Sequence, residues 1–405
     1  MSQRYQGGIL GVGFNPLQAP NAPTIGTATA GDASATVTFT APVNVGGSAI
    51  TQYTAQSNPG GVNATGASSP IFITGLTNGT AYTFNVWALN SYGPSPAGGP
   101  SGSVTPTAIV GVFAGGSTTV GINTIQFVTI STTGNAASFG SLAVATAAMA
   151  GCSSATRGLY AGGNTSATGR DTVAIYFITF ASAGNSTSFG SLGTGREALG
   201  GCSNSTRGLF AGGEGLGGIA GTAGNRIEFV TIATTGNATI FGTLSTQRVW
   251  TAGSASATRG LFFNGENTVG TLASIDYVTI ATTGNAVNFG NTSAAAFRIA
   301  SCASSTRALV GGGVISGNTN AISFVTIATT GNTTSFGQLT AARGDLTACS
   351  SETRGVFAGG STSGVRTNII DYVTIASAGN AIDFGDLLAS ISNPAACSNG
   401  HGGLS

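Results

Sequence analysis

The sequence predicts an all-β protein in two parts, a small β-sandwich followed by a six-bladed β-propeller. Three observations lead there. One pattern recurs six times from about Val110 to the C-terminus. Each copy is built of short runs rich in β-branched and aromatic residues, bounded by Gly, Asn and Ser. Only 6% of the residues are charged and 66 are Gly, a balance that suits strands joined by tight polar turns. The regular Val, Ile and Phe spacing argues against disorder.

The six copies begin near Val110, Arg157, Arg207, Arg259, Arg307 and Arg354, with starts 47, 50, 52, 48 and 47 residues apart. Such a period belongs to solenoids and propellers. Each copy holds four pieces. The first is Arg207–Gly213, the second Ile227–Asn237, the third resembles Asn380–Leu387 and the fourth resembles Ala198–Thr206. A Thr-Gly-Asn or Ala-Gly-Asn step separates the second and third pieces in every copy. Its Gly is expected to supply the positive φ of a tight hairpin. In the second piece both faces are apolar, with Ile227 and Phe229 on one and Val230 and Ile232 on the other. Such a strand needs cover on both sides, which blades stacked around an axis provide.

The five cysteines fall on the repeat. Cys152, Cys202, Cys302 and Cys349 each stand five residues before the next starting Arg; Ser254 takes that place once, and Cys397 holds it in the last copy. Their odd number and wide spacing point to small buried residues near the axis rather than to disulfides or metal ligands.

Gly212-Gly213 closes an apolar strand and is followed by Phe229, Phe241, Leu244 and Arg248. This resembles the kelch repeat: an apolar strand ending in Gly-Gly, a spaced Tyr, a spaced Trp and a linker Arg. The resemblance covers residues 110–405. Phe139, Phe189, Phe241, Phe289, Phe336 and Phe384 stand where kelch has Trp, Asn264-Gly265 replaces one Gly pair, and the linker Arg is present as Arg196, Arg248 and Arg343 only. The string Tyr277–Gly290 also resembles repeats in structural proteins of tailed phages, cyanophages especially. A kelch arrangement implies that the fourth piece is the innermost strand. The first copy then lacks one, and Ala395–Ser398 from the far end is expected to complete it.

Residues 20–107 differ in texture. Ala22–Pro42 and Gly75–Ala97 resemble a fibronectin type III domain, in which Leu76, Gly79 and Tyr82 have the spacing of a tyrosine corner. Tyr82, Phe84 and Val86 alternate as one core face, and Trp87 falls on the other, as surface packing. The domains expected are therefore an arm at 1–19, the sandwich at 20–107 and the propeller at 108–405. The arm carries Ile9, Leu10 and Phe14 and is expected to dock on a neighbour.

Little in the sequence supports catalysis. His401 is the single His, too few for a galactose-oxidase-type copper site or, without its help, a Ser-His-Asp set. No Lys is present, so the Gly pairs are not phosphate loops of the Walker type. Glu228, Asp276 and Asp371 share one repeat position and so sit on different blades, not as a glycosidase pair. A net charge of +1 offers no footprint for nucleic acid. No apolar run of membrane-spanning length appears, and the N-terminus is a poor export signal. The protein is expected to be a non-enzyme without cofactor or metal.

A binding surface remains. The loops after Gly-Gly vary most within the chain, and they and the segments before the fourth pieces are expected to share one face. That face would carry Arg170, Asp171, Arg196, Glu214, Arg226, Arg248, Trp250, Arg343 and Arg366, since Arg forks and aromatics anchor many ligands. The competing role for each linker Arg is hydrogen bonding to carbonyls between blades, and for Trp250 it is packing. Two surface-type β modules fit a virion structural protein, of tail, fibre or capsid exterior, assembled in the host cytoplasm. Its expected partners are other virion proteins and a host-surface glycan or protein, to which it would adhere. The rival reading is an exported bacterial adhesin or carbohydrate-binding protein.

Overall fold

The computed structural model describes residues 17–165, 170–215 and 224–400, with Arg170 as main chain only. Ile9, Leu10, Phe14 and His401 lie outside the described residues. Every regular element among the described residues is a β-strand, so the protein is all-β. The chain divides into two compact units, 1–108 and 109–405.

In the first unit a three-stranded sheet pairs Thr24–Gly31 with Ser34–Thr40 and the latter with Ile71–Thr74. A four-stranded sheet runs in the order Asn63–Gly66, Gln52–Asn58, Thr83–Asn90, Gly93–Pro94. Strict alternation along Thr83–Asn90 buries Phe84, Val86 and Ala88 against Val37, Phe39, Ile71 and Ile73 of the other sheet. Trp87 faces away, half-buried. The Tyr82 ring is in this core, and its hydroxyl accepts the Thr77 amide at 3.0 Å. Residues at the start of the described chain are tied down here, the Gln18 amide donating to the Gly46 carbonyl.

The second unit contains six four-stranded antiparallel sheets. In one of them the hydrogen-bonded order is Ala150–Ser153, Arg157–Ala161, Ala174–Thr179, Thr187–Ser191. The sheets are out of step with the repeat by one strand: the fourth piece of each copy pairs with the first piece of the next. The copy starting at Val110 receives its missing strand from the C-terminus. Ala395–Ser398 pairs antiparallel with Gly111–Ala114, Cys397 opposite Val112.

The leading strands of the sheets are Ala395–Ser398, Ala150–Ser153, Gly200–Ser203, Ala252–Ala255, Ala300–Ala303 and Thr347–Ser350. Each lies beside the next in this order, and Thr347–Ser350 lies beside Ala395–Ser398. Side chains from adjacent sheets fill the space between them; Leu159, Ile175 and Phe189 of one sheet pack with Phe210 and Val230 of the next. The expectation that the second piece is covered on both faces holds for Ile227 and Val230. Each Phe of the third piece meets the aromatic of the second edge-on, as Phe229 and Phe241 do at 5.9 Å.

Contacts repeated from copy to copy latch neighbouring sheets. The starting Arg of a copy crosses to the next sheet, Arg157 Nη1 donating to the carbonyls of Ile232 and Ala233 while its guanidinium lies over the Phe177 ring. Arg354 makes the same bonds to Ile130 and Ser131, from the last copy to the first. The turn Asn does likewise in all six copies: Asn185 Oδ1 accepts the amide of Ser141, and Asn135 Oδ1 accepts that of Asp386.

The turn glycines do not act as expected. Among Gly134, Gly184, Gly236, Gly284, Gly331 and Gly379, only Gly134 has a positive φ, at 157°. Their carbonyls instead press on the Gly of the third piece in the preceding sheet. A Cβ on Gly190 would stand 2.1 Å from the Gly236 oxygen. Left-handed backbone is needed at the Gly-Gly pairs, such as Gly212 at 70° and Gly213 at 95°. Asn264 adopts φ 50° in the copy that lacks the first Gly, a conformation that Asn tolerates best among larger residues.

Candidate functional site

Strand direction sorts the loops. In each sheet the chain leaves the second strand through Gly-Gly, or through Asn264-Gly265 in one, and enters the leading strand at the same end, and the two segments pair there. Ala147 pairs with Asn164, Glu197 with Glu214, Val249 with Glu266, Phe297 with Val314, Gly344 with Ser361 and Ser392 with Ser117. The variable loops and the segments before the fourth pieces therefore share a face, and the Gly-Asn turns lie at the opposite ends of the strands.

Three of the expected binding residues are not on that face. Arg196, Arg248 and Arg343 are fully buried, and this corrects their assignment to it. Arg196 Nη2 lies 2.6 Å from Glu228 Oε2, Arg248 Nη2 3.1 Å from Asp276 Oδ2, and Arg343 Nη2 2.6 Å from Asp371 Oδ2. Their Nη1 groups donate to the first carbonyl of the turn, those of Gly212, Asn264 and Gly359. An isolated charge cannot stay in a dry core, so each Arg is matched by an acid in its own sheet. The other three sheets carry Ile391 with Gln126, Thr146 with Tyr176, and Ala296 with Ser323 at these positions. Arg and acid thus occur together or not at all. That signal was available in the sequence, where the Arg and acid positions each stood out but were not joined.

The remaining expected residues do lie on the loop face. Arg226 Nη1 is 3.6 Å from Glu228 Oε1 and 30% exposed. Arg366 spans the junction of the last and first copies, bonded to Ser392 Oγ and Ser117 Oγ. Arg170 and Asp171 form a two-residue strand against Asn164–Thr165. Glu214 faces Glu197, and burial together with Asp171 and Glu214 pushes the Glu197 carboxyl up to about 7.

At the centre of this face the backbone closes on itself. The amide of Ala198 donates to the carbonyl of Ala148 (2.9 Å), Trp250 to Ala198 (2.9 Å), Arg298 to Trp250 (3.2 Å), Asp345 to Arg298 (3.1 Å), Asn393 to Asp345 (2.7 Å) and Ala148 to Asn393 (3.0 Å). All six residues have left-handed φ, between 53° and 59°. None is Gly, although this conformation costs other residues roughly 1–2 kcal/mol. The cycle rims a cavity between the leading strands.

The rim is unequal. Ala148 and Ala198 are small and buried, whereas Trp250, Arg298, Asp345 and Asn393 carry larger side chains and are partly exposed. The Arg298 guanidinium lies 4.9 Å from the Trp250 ring centre and 5.4 Å from that of Phe297. Its Nε stands 3.4 Å from Asp345 Oδ1, with 39% of the Arg side chain and 11% of the Asp side chain exposed. Burial pushes the Asp345 carboxyl up, and Arg298 pulls it back. Trp250 is thus a rim residue rather than core packing. Asp345 escaped the expected site because nothing in a sequence marks a non-Gly residue for left-handed backbone.

The cysteines line the cavity further along, all five buried and free. Among the described residues, no group of three or more His, Cys, Asp or Glu is placed to hold a metal ion, and no helix is long and apolar enough to cross a membrane. No protein-family model matches the chain, and a search of curated proteins finds no match.

Proposed function

We propose that residues 109–405 are a six-bladed, kelch-like β-propeller, that the first unit is a fibronectin type III-like sandwich, and that the protein is a non-enzymatic structural protein of a phage virion, binding through the face that carries the rim. The backbone cycle from Ala148 to Asn393 carries this reading. It supports a closed ring of six blades, because each bond joins one leading-strand entry to the next and the last returns to the first. The pairing of Ala395–Ser398 with Gly111–Ala114 supports the same closure. The Tyr82–Thr77 bond and the two facing sheets support the sandwich.

The non-enzyme reading rests on how the charges are used. Glu228, Asp276 and Asp371 each sit against a buried Arg, which occupies them as structural ion pairs. The virion reading rests on the phage-like repeat string, the latched ring and the low surface charge. The partners expected are neighbouring virion proteins and, at the rim, a molecule of the host surface. Mass spectrometry of purified virions from the source culture tests the proposal. Recovery of this chain at a fixed stoichiometry to the capsid or tail proteins is expected. Its absence from virions together with its recovery from the culture medium or the cell surface would favour an exported bacterial adhesin instead.

A further inference from the structure

We propose that the partly exposed half of the rim, formed by Trp250, Arg298 and Asp345, is a binding site for an uncharged saccharide. The inference deepens the reading of this face as the ligand face and rests on it.

The first argument is from strain. Six equivalent positions share one left-handed backbone, and small residues suffice at Ala148 and Ala198. Bulky side chains at Trp250, Arg298 and Asp345 are not required by the repeat. Strain held in a cavity rim points to use of the side chains that bear it.

The second argument is from chemistry. Arg298 joins the aromatic to the acid, so an aromatic ring, a donor fork and an acceptor carboxylate form one continuous surface. The pair is loosely joined: Arg298 Nε faces Asp345 Oδ1 at 3.4 Å, Arg298 Nη1 donates to Asp345 Oδ2 at 3.5 Å, and 39% of the Arg side chain stays exposed. At the exposed edge of the pair the guanidinium can donate to an acceptor and the carboxylate can accept from a donor. A sugar hydroxyl is both, and adjacent hydroxyls on a pyranose can satisfy the two groups together. The C–H face of the same ring suits contact with Trp250 or Phe297. A carboxylate or phosphate ligand would meet the Asp345 charge, and an amine would meet Arg298, so the neutral class is favoured on electrostatic grounds.

Trp250 supplies its own reporter. The chain has two Trp, and the other, Trp87, belongs to the first unit. In the full chain carrying Trp87→Phe, emission reports on Trp250 alone. The probes are the methyl glycosides of glucose, galactose and mannose, together with rhamnose and N-acetylglucosamine; 3′-sialyllactose and succinate serve as anionic arms. A saturable change with at least one neutral saccharide is expected in the millimolar range, the affinity of a small exposed site. Asp345→Asn keeps a residue that tolerates the left-handed backbone, so the fold should persist, as checked by an unchanged melting temperature. Affinity should fall by about tenfold or more, the value of a hydrogen bond to a charged group. Arg298→Gln should do the same. Saturable binding of only the anionic probes, no response to any neutral saccharide, or equal affinity in Asp345→Asn would each overturn the proposal. Any of these outcomes leaves the virion reading standing, since that is decided by the composition of purified particles.

Discussion

The thiol of Cys152 fills the space that Gly208 leaves open: a Cβ on Gly208 would stand 2.5 Å from Sγ. Each cysteine repeats this contact with the following sheet, Cys202 on Gly260, Cys302 on Gly355, Cys349 on Gly111 and Cys397 on Gly158. The single copy with the shorter Ser254 precedes the single copy with Ala308 in place of Gly. Thiol and glycine therefore vary together, as a close-packed contact requires. Gly208→Ala should destabilise the second unit by about 1–3 kcal/mol, the usual cost of overpacking. Ser254→Cys alone should also destabilise, and adding Ala308→Gly should restore most of the loss. Calorimetric melting of the four variants completes the cycle; additive effects of Ser254→Cys and Ala308→Gly would show that the two positions do not touch.

The buried ion pairs should follow the same rule of joint replacement. Removing either partner of Arg343–Asp371 leaves an uncompensated charge, at a cost of about 3–5 kcal/mol. The double change Arg343→Ile with Asp371→Gln copies the Ile391 and Gln126 already present in another sheet. It should regain most of that stability. Denaturant unfolding of the two single variants and the double one would reveal whether the pair acts as a unit.

Glu197 gives the loop face a pH dependence. Its carboxyl is raised from 4.5 to about 7, chiefly by burial and then by Asp171 and Glu214. The folded state therefore holds the proton more tightly than the unfolded chain, and stability should fall as pH rises from about 4.5 through about 7. Melting temperatures across that interval should decline in the native chain and decline less in Glu197→Gln. Equal slopes in the two proteins would remove Glu197 as the cause.

All five thiols should be silent in the native protein. Burial pushes Cys202, Cys302 and Cys397 up to about 12, and Cys152 and Cys349 also well above the ordinary thiol range. Thiolate is the reacting form, so a disulfide reagent at neutral pH should modify none of them before unfolding and all five after it. Fewer than five on denaturation would reveal a disulfide.

Much of this architecture was legible because repetition turns one sequence into six aligned ones. Strand limits, the Ser254 exception and the missing strand at Val110 all follow from comparing copies. The Arg–acid pairing could have been found the same way, since both partners are absent together from three sheets. Other features had no local signal. The left-handed backbone at Trp250, Arg298 and Asp345 is imposed by a cycle of bonds between distant segments. The turn glycines misled because their conformation is not that of a tight hairpin; a contact from the next sheet decides them. The expectation that Arg196, Arg248 and Arg343 were surface anchors failed because a charge in a sequence does not show its burial.

As the outward binding face of a virion component, the rim bearing Trp250 should stay open to solvent in the assembled particle. Hydroxyl-radical footprinting of intact particles, compared with the free protein, tests it most directly, because Trp250 marks the rim and the turn beginning at Ile232 marks the opposite strand ends. Equal modification of Trp250 in particle and free protein, with protection at the Gly-Asn turns, is the result expected. Protection of Trp250 in the particle with the turns left open would contradict the claim and assign the rim to assembly.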